Sequence, residues 1–179
     1  FGVPAAMGAE MALPDEQVIC ISGDASFQMN LQELGTLKQY GLNVKIVIVN
    51  NGWQGMVRQW QEAFYDKNYS SSEMAPSQPD FMLLAQAYGI KGMTVDSRED
   101  LPDAIAAMLA HDGPVLLNAL VKRNENCYPM VAAGKSNAEM LGLAKPKRSS
   151  SGALAIHCGN CGAIHPVNHK FCPDCGSQQ

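Results

Sequence analysis

No large charge of one sign is present in this 179-residue chain: 13 Lys and Arg stand against 17 Asp and Glu, a net charge of −4. So mild a balance gives neither a nucleic acid nor an anionic membrane an electrostatic reason to bind. No apolar run approaches the roughly 20 residues that span a bilayer, and no internal repeat divides the sequence. The amino terminus, Phe1-Gly2-Val3-Pro4, has neither an initiator Met nor a charged-then-apolar targeting pattern. The expectation is that the first element has been cut from a longer polypeptide. Cysteine is scarce until the end. Cys20, in a predicted core strand, and Cys127 read as inert thiols, while the other four of the six fall within the last 22 residues. That usage excludes a disulfide framework spread over the chain and fits a reducing compartment such as the cytoplasm.

What is present is globular: 46% hydrophobic and 17% charged residues, in a length sufficient for one domain with a core plus a small appendage. Residues 3–13 are small and apolar and suit a tightly packed helix with Pro4 in its first turn. A strand over Val18–Ile21 follows, then a helix with Leu31, Leu34 and Leu37 closed by Gly41. A second strand at 44–49 leads into a helix with Met56, Val57, Trp60 and Phe64 on one face. Residues 65–79 form a long polar loop, of the kind that often serves as a lid. Asp80 caps a helix, 91–95 is a short strand, and Ser97 with Asp100 reads as a capping box. The helix it opens is followed by a strand at 115–121. Alternating strands and helices predict an α/β domain, a parallel sheet covered by helices on both faces. Residues 122–146 read as an irregular tail.

Two motifs carry the chemistry. Gly23-Asp24-Ala25-Ser26 and Asn50-Asn51-Gly52-Trp53 each close an apolar run, with 24 residues between Ala25 and Asn50. Right-handed crossovers would set both tips side by side at the carboxyl edge of the sheet, where such sheets bind ligands. A carboxylate and a carboxamide presented together suit Mg2+, which takes oxygen donors from few protein groups and completes its shell with phosphate oxygens. Either motif alone is an ordinary turn. Together they predict a metal-bridged diphosphate site.

The pair resembles the thiamine-diphosphate motif, Gly-Asp-Gly followed some two dozen residues later by Asn-Asn, with Ala25 in place of the second Gly. The runs 23–34 and 50–65, together with Phe1–Ala9 and Cys127–Gly134, resemble the catalytic subunit of acetolactate synthase over about residues 1–144. In that family this part is the C-terminal, diphosphate-binding domain. The resemblance implies that Asp24, Asn51 and the backbone carbonyl of Trp53 ligate Mg2+. It implies too that Gly23, Ala25 and Ser26 lie against the diphosphate and that Met56 wedges under the cofactor. Met56, Val57 and Trp60 would line the substrate channel, with Ala133 near its mouth. On periodicity alone the same three residues are a helix's core stripe. Arg58 and Glu62 read as an exposed i, i+4 pair, and Gln28 and Gln32 as either site residues or solvated helix positions.

The reaction so implied is decarboxylation of pyruvate followed by condensation with a second 2-oxo acid, pyruvate or 2-oxobutanoate, in branched-chain amino-acid synthesis. The glutamate that activates the cofactor belongs to another domain contributed by a neighbouring subunit, and FAD to a middle domain. Neither domain is matched here, so no catalytic residue is assigned in this chain. The family implies a homo-oligomer with a regulatory subunit, in the cytoplasm or a plastid stroma. Trp60 favours the synthase over another thiamine-diphosphate carboligase or decarboxylase; a non-catalytic binding module remains the alternative.

At the other end, Cys158-x-x-Cys161 and Cys172-x-x-Cys175 are two knuckles ten residues apart. Four thiolates so spaced can enclose one tetrahedral, structural Zn2+, and the segment resembles a short zinc ribbon. The expected organisation is a diphosphate-binding domain over 1–144, a linker over 145–152 and the ribbon over 153–179.

Overall fold

Four short strands, three of them rich in Val, Ile or Leu, meet at the centre of the fold. In the computed structural model, β1 (Ile19–Gly23), β2 (Lys45–Asn50), β3 (Lys91–Val95) and β4 (Val115–Leu120) form one parallel sheet in the order β1-β2-β4-β3. The structure describes residues 1–142, the backbone of 155–157 and 164–166, and residues 161 and 175. Two compact units divide the chain, Phe1–Cys127 and Tyr128–Gln179.

Parallel neighbours require crossovers, and the helices supply them. Between β1 and β2 run α2 (Asp24–Gln28) and α3 (Glu33–Tyr40); between β2 and β3, α4 (Gly55–Phe64) and α5 (Phe81–Ala87); between β3 and β4, α6 (Leu101–Ala110). The sheet is preceded by α1 (Gly2–Ala12). In the β1–β2 register, Gly23 stands level with Val49. The chain therefore leaves both strands at one edge, carrying Asp24 from one and Asn51 from the other.

Alternate residues of the strands face two cores. Cys20, Ile46, Ile48 and Leu116 pack with Val3 and Met7 of α1, Phe27, Leu34, Leu37 and the α5 residues Phe81 and Ala85. On the opposite face Val95, Val115 and Leu117 pack with Met108 of α6. The cover is unequal. Helices were expected over both faces, yet α6 covers only the β3–β4 side of the second one. There Ile19 and Val49 remain exposed, and Ile21 is 72% exposed.

Local chemistry sets the element ends. Gly41 closes α3 at φ 62°, a left-handed cap that glycine adopts without Cβ strain. The Asp80 carboxylate accepts from the N–H groups of Met82 and Leu83 at 2.8 and 3.1 Å, the expected cap of α5. Ser97 and Asp100 do bond to each other, but α6 opens only at Leu101, so the pair precedes the helix instead of boxing its first turn. The tail expected to be irregular contains an antiparallel hairpin of β5 (Met130–Val131) and β6 (Met140–Leu141). A second hairpin pairs β7 (Ala155–His157) with β8 (Ile164–Pro166). The expected linker at 145–152 lies outside the described residues.

Candidate functional site

Asp24 opens α2 directly from the tip of β1 and is 1% exposed. Its carboxylate accepts from the side-chain amide of Gln78, and the backbone N–H groups of Asp24, Ala25 and Asn51 lie close enough to favour its charged form. The Asn51 N–H brings the second motif up to the first across adjacent strands. Burial pushes the Asp24 pKa up, and those donors pull it only partly back. Among the described residues no Lys, Arg or His forms an ion pair with it.

Asn51 sits in a turn built by short-range bonds. Its Oδ1 accepts from Trp53 N–H at 3.0 Å, and Asn50 Oδ1 accepts from Gly52 N–H at 3.1 Å. Gly52 adopts φ +70°, and a Cβ there would stand 3.2 Å from Ala75 Cβ. Gly55 is needed for a different reason: its Cβ would come within 3.1 Å of the Asn51 amide nitrogen.

A cleft of about 390 Å³ opens at these strand tips. Gly23, Asp24, Ala25, Ser26, Asn51, Trp53 and Met56, the residues singled out for cofactor and Mg2+, all line it. A Cβ on Gly23 would meet nothing within 4 Å, so the cleft reaches close to the backbone there. Met29, Val49, Gln54 and Gly55 also line it and were not foreseen. Met29 and Val49 read in sequence as ordinary apolar positions, and Gln54 carries no motif. Gln28 turns away and donates to the Asp24 carbonyl at 3.3 Å; Gln32 is exposed.

Next to this cleft lies a cavity of about 460 Å³ lined by Met56, Val57, Trp60, Gln61, Tyr65, Asn68 and Ser70. Met56 and Val57 line both spaces and form the wall they share. This follows from an inverted helix. The buried residues of α4 are polar, Arg58 and Gln59, while Met56 and Val57 are 49% and 44% exposed. Gln59 pairs with the Cys127 backbone, donating to its carbonyl and accepting from its N–H, both at 2.8 Å. Arg58 was expected to be exposed. Its ion pair with Glu62 forms at 2.9 Å, but the guanidinium is buried, bonds Asn126 and lies 5.4 and 5.2 Å from the Trp53 and Tyr69 rings. The aromatic pair and two polar partners take Arg58 inward.

In the second unit, Cys161 falls in the turn between β7 and β8, and Cys175 follows β8. Cys158 and Cys172, and with them the expected zinc site, lie outside the described residues. Among the described residues, no three His, Cys, Asp or Glu side chains converge on one point. The strand-tip set is thus one carboxylate, one carboxamide and main-chain oxygen, a set of hard oxygen donors that leaves room for phosphate oxygens. It fits Mg2+ with a diphosphate.

Fold and cleft define a parallel α/β domain with an open cleft at the carboxyl ends of two adjacent strands. Residues 1–119 match the thiamine pyrophosphate enzymes, C-terminal TPP binding domain, and the chain belongs to that family. It is 55% identical over 177 residues to the acetolactate synthase large subunit of Parasynechococcus marenigrum, covering 99% of this chain and 28% of that protein. It is 58% identical over 151 residues to the large subunit of Pyropia yezoensis, covering 84% of this chain and 26% of that one. Among solved structures it resembles the thiamine diphosphate-dependent 4-hydroxybenzoylformate decarboxylase of Rhodococcus jostii. The TM-score is 0.62 and the identity 36%, over 69% of this chain and 23% of the other. The chain thus spans about a quarter of the length of the relatives it matches.

Proposed function

We propose that this domain holds Mg2+ and thiamine diphosphate as part of an acetolactate synthase catalytic subunit. The observation that carries the reading is Asp24, a buried carboxylate with no cationic partner among the described residues, near the Asn51 backbone N–H in the lining of the cleft. A buried charge calls for compensation, and a divalent cation supplies it. Asp24, Asn51 and the Trp53 carbonyl would hold the ion, and Gly23, Ala25 and Ser26 would face the diphosphate. The bound cofactor supplies the carbanion-stabilising centre on which a 2-oxo acid loses carbon dioxide. The chain's own contribution is placement. Met56 supports the cofactor from the wall between the two cavities, and Val57 and Trp60 give the 2-oxo acid an apolar, water-poor approach.

Pyruvate and 2-oxobutanoate as substrates, a homo-oligomer with a regulatory subunit, and action in the cytoplasm or a plastid stroma follow from the same reading. So does the supply of FAD and the activating glutamate by other domains. No helix among the described residues is long and apolar enough to cross a membrane. Identities of 55% and 58% to synthase subunits, against 36% to a decarboxylase, favour the synthase within the cofactor class.

The functional domain in this reading runs over 1–144, the linker over 145–152, and residues 153–179 form a zinc ribbon with Cys158, Cys161, Cys172 and Cys175 as ligands. Cys161 falls between β7 and β8 and Cys175 after β8, an order suited to such a ribbon. The Parasynechococcus alignment covers 99% of the chain and so extends into this segment. One Zn2+ per chain, lost in Cys172→Ser, is the expected metal content.

Binding decides the main reading. Thiamine diphosphate with Mg2+ should raise the melting temperature of the chain, and Asp24→Ala should abolish the rise. Absence of any rise in the unsubstituted chain would refute the site. The chain alone should form no acetolactate from pyruvate.

A further inference from the structure

Residues 72–78 run across both ligand-bearing strand tips. At the β2 tip, Gln54 N–H donates to the Ser72 carbonyl at 2.9 Å, and Met74 and Ala75 N–H donate to the Gly52 carbonyl at 2.8 and 3.1 Å. Trp53 and Glu73 form an antiparallel bridge. Ser72, 0% exposed, donates from its hydroxyl to Gln61 Oε1 of α4 at 2.6 Å. At the β1 tip, the segment makes its contact through one side chain: the Gln78 amide donates to Asp24 Oδ2. One short stretch of chain thus grips the Asn51–Trp53 turn by its backbone and the Asp24 carboxylate by a carboxamide.

The chemistry of that side chain matters. A Lys or Arg at this place would neutralise the carboxylate and compete with a cation; a Glu would repel it. A carboxamide donates one hydrogen bond and brings no charge. It fixes the rotation of the carboxylate and leaves the charge available. Gln78 also lines a polar cavity of about 420 Å³ with Asn50 and Asn118, whose side chains bond each other at 3.1 Å. Its own position is therefore bounded by the β2–β4 edge and not only by the loop.

We propose that Gln78 is a positioning residue for the metal site. It orients Asp24 toward the cation, and the 72–78 strap makes the geometry of both strand tips interdependent. The proposal rests on the Mg2+–diphosphate reading of the cleft. Outer partners of metal ligands are worth about 10–100-fold in metal affinity, and that is the loss expected for Gln78→Leu.

The test is a titration of the 179-residue chain with Mg2+ at saturating thiamine diphosphate, read by calorimetry, alongside melting curves without either. Gln78→Leu should weaken Mg2+ by about 10–100-fold and lower the melting temperature more with Mg2+ and cofactor than without them, where the loss reflects only the missing hydrogen bond to Asp24. Gln78→Asn, which keeps the carboxamide, should regain most of the affinity. Equal loss of melting temperature with and without Mg2+ would make Gln78 a merely structural residue and overturn the proposal. So would unchanged Mg2+ affinity in Gln78→Leu alongside lost binding in Asp24→Ala, an outcome that leaves the cleft reading standing. No binding by the parent chain would remove both.

Discussion

Gly52→Ala is the substitution whose cost can be worked most directly from the backbone. Gly52 sits at φ +70°, where an L-residue brings Cβ against its own carbonyl, a strain of about 1–2 kcal/mol. The added methyl would stand 3.2 Å from Ala75 Cβ, so the strap must give by a few tenths of an ångström. It is held there by two bonds to the Gly52 carbonyl, and loosening them adds about 0.5–1 kcal/mol. The total is about 2 kcal/mol, which for a unit of this size is a fall of roughly 6–10 °C in melting temperature. Gly8→Ala is the control. Gly8 lies within α1 with nothing inside 4 Å of its would-be Cβ, so the same change should stabilise by about 0.5–1 kcal/mol. Calorimetric melting of both variants beside the parent reads the contrast. A Gly52→Ala protein that melts within 2 °C of the parent, or shifts in the same direction as Gly8→Ala, would show that the turn does not need its left-handed residue.

Three other outcomes follow from buried polar groups and the core. Lys45 is 0% exposed, and its ammonium donates to Asn43 Oδ1, His111 O and Gly113 O at 2.5, 2.6 and 2.7 Å; Lys45→Met should cost about 2–3 kcal/mol in urea unfolding. Burial lowers the Lys45 pKa, with Asp112 and Glu10 opposing. The unfolded chain therefore binds more protons between the two values, parent stability rises with pH in that alkaline window, and its margin over Lys45→Met should widen there; a narrowing margin would contradict the cause given. Gln59→Met removes both bonds to the Cys127 backbone and should cost about 2 kcal/mol, whereas a change under about 0.5 kcal/mol would place Gln59 among ordinary surface positions. Leu37→Ala, at a fully buried site beneath the sheet, should cost about 2–5 kcal/mol, checked by the same urea curves.

The side-by-side placement of the first two strands and the convergence of Asp24 with Asn51 could be read from the chain because each rests on local chemistry. Apolar runs of five or six residues bounded by turn residues leave little choice of element, and two adjacent parallel strands must end at the same edge. Gly41 and Asp80 work the same way, since a left-handed closure and a side-chain cap are properties of single residues. Other features were invisible for physical reasons. The five residues of α2 are too few to show a period, so Asp24 looked like a loop residue when it in fact opens a helix. The hairpin of β5 and β6 has two residues per strand and no alternation to detect. Gln78 touches Asp24 across 54 positions, and no spacing rule connects a polar loop residue to a motif that far upstream.

The α4 helix shows where such reading is ambiguous in principle. A period of 3.6 says that Met56, Val57, Trp60 and Phe64 share a face; it is silent on which side of the helix the core lies. The usual inference, apolar side inward, fails because Arg58 and Gln59 find a full set of partners inside: two aromatic rings, Glu62, Asn126 and the Cys127 backbone. Leaving Met56, Val57 and Phe64 each more than 40% exposed forgoes on the order of 1 kcal/mol of burial per side chain. A domain optimised only for its own stability would not arrange a helix this way. Met56 and Val57 form the wall common to the two cavities beside the strand tips, so the exposed apolar surface lies where the cofactor and its substrate are proposed to sit. The inversion and the buried Asp24, which has no cationic partner among the described residues, are therefore two expressions of one condition: the folded chain holds a carboxylate and an apolar wall in a form that a bound cation and an organic ligand would complete.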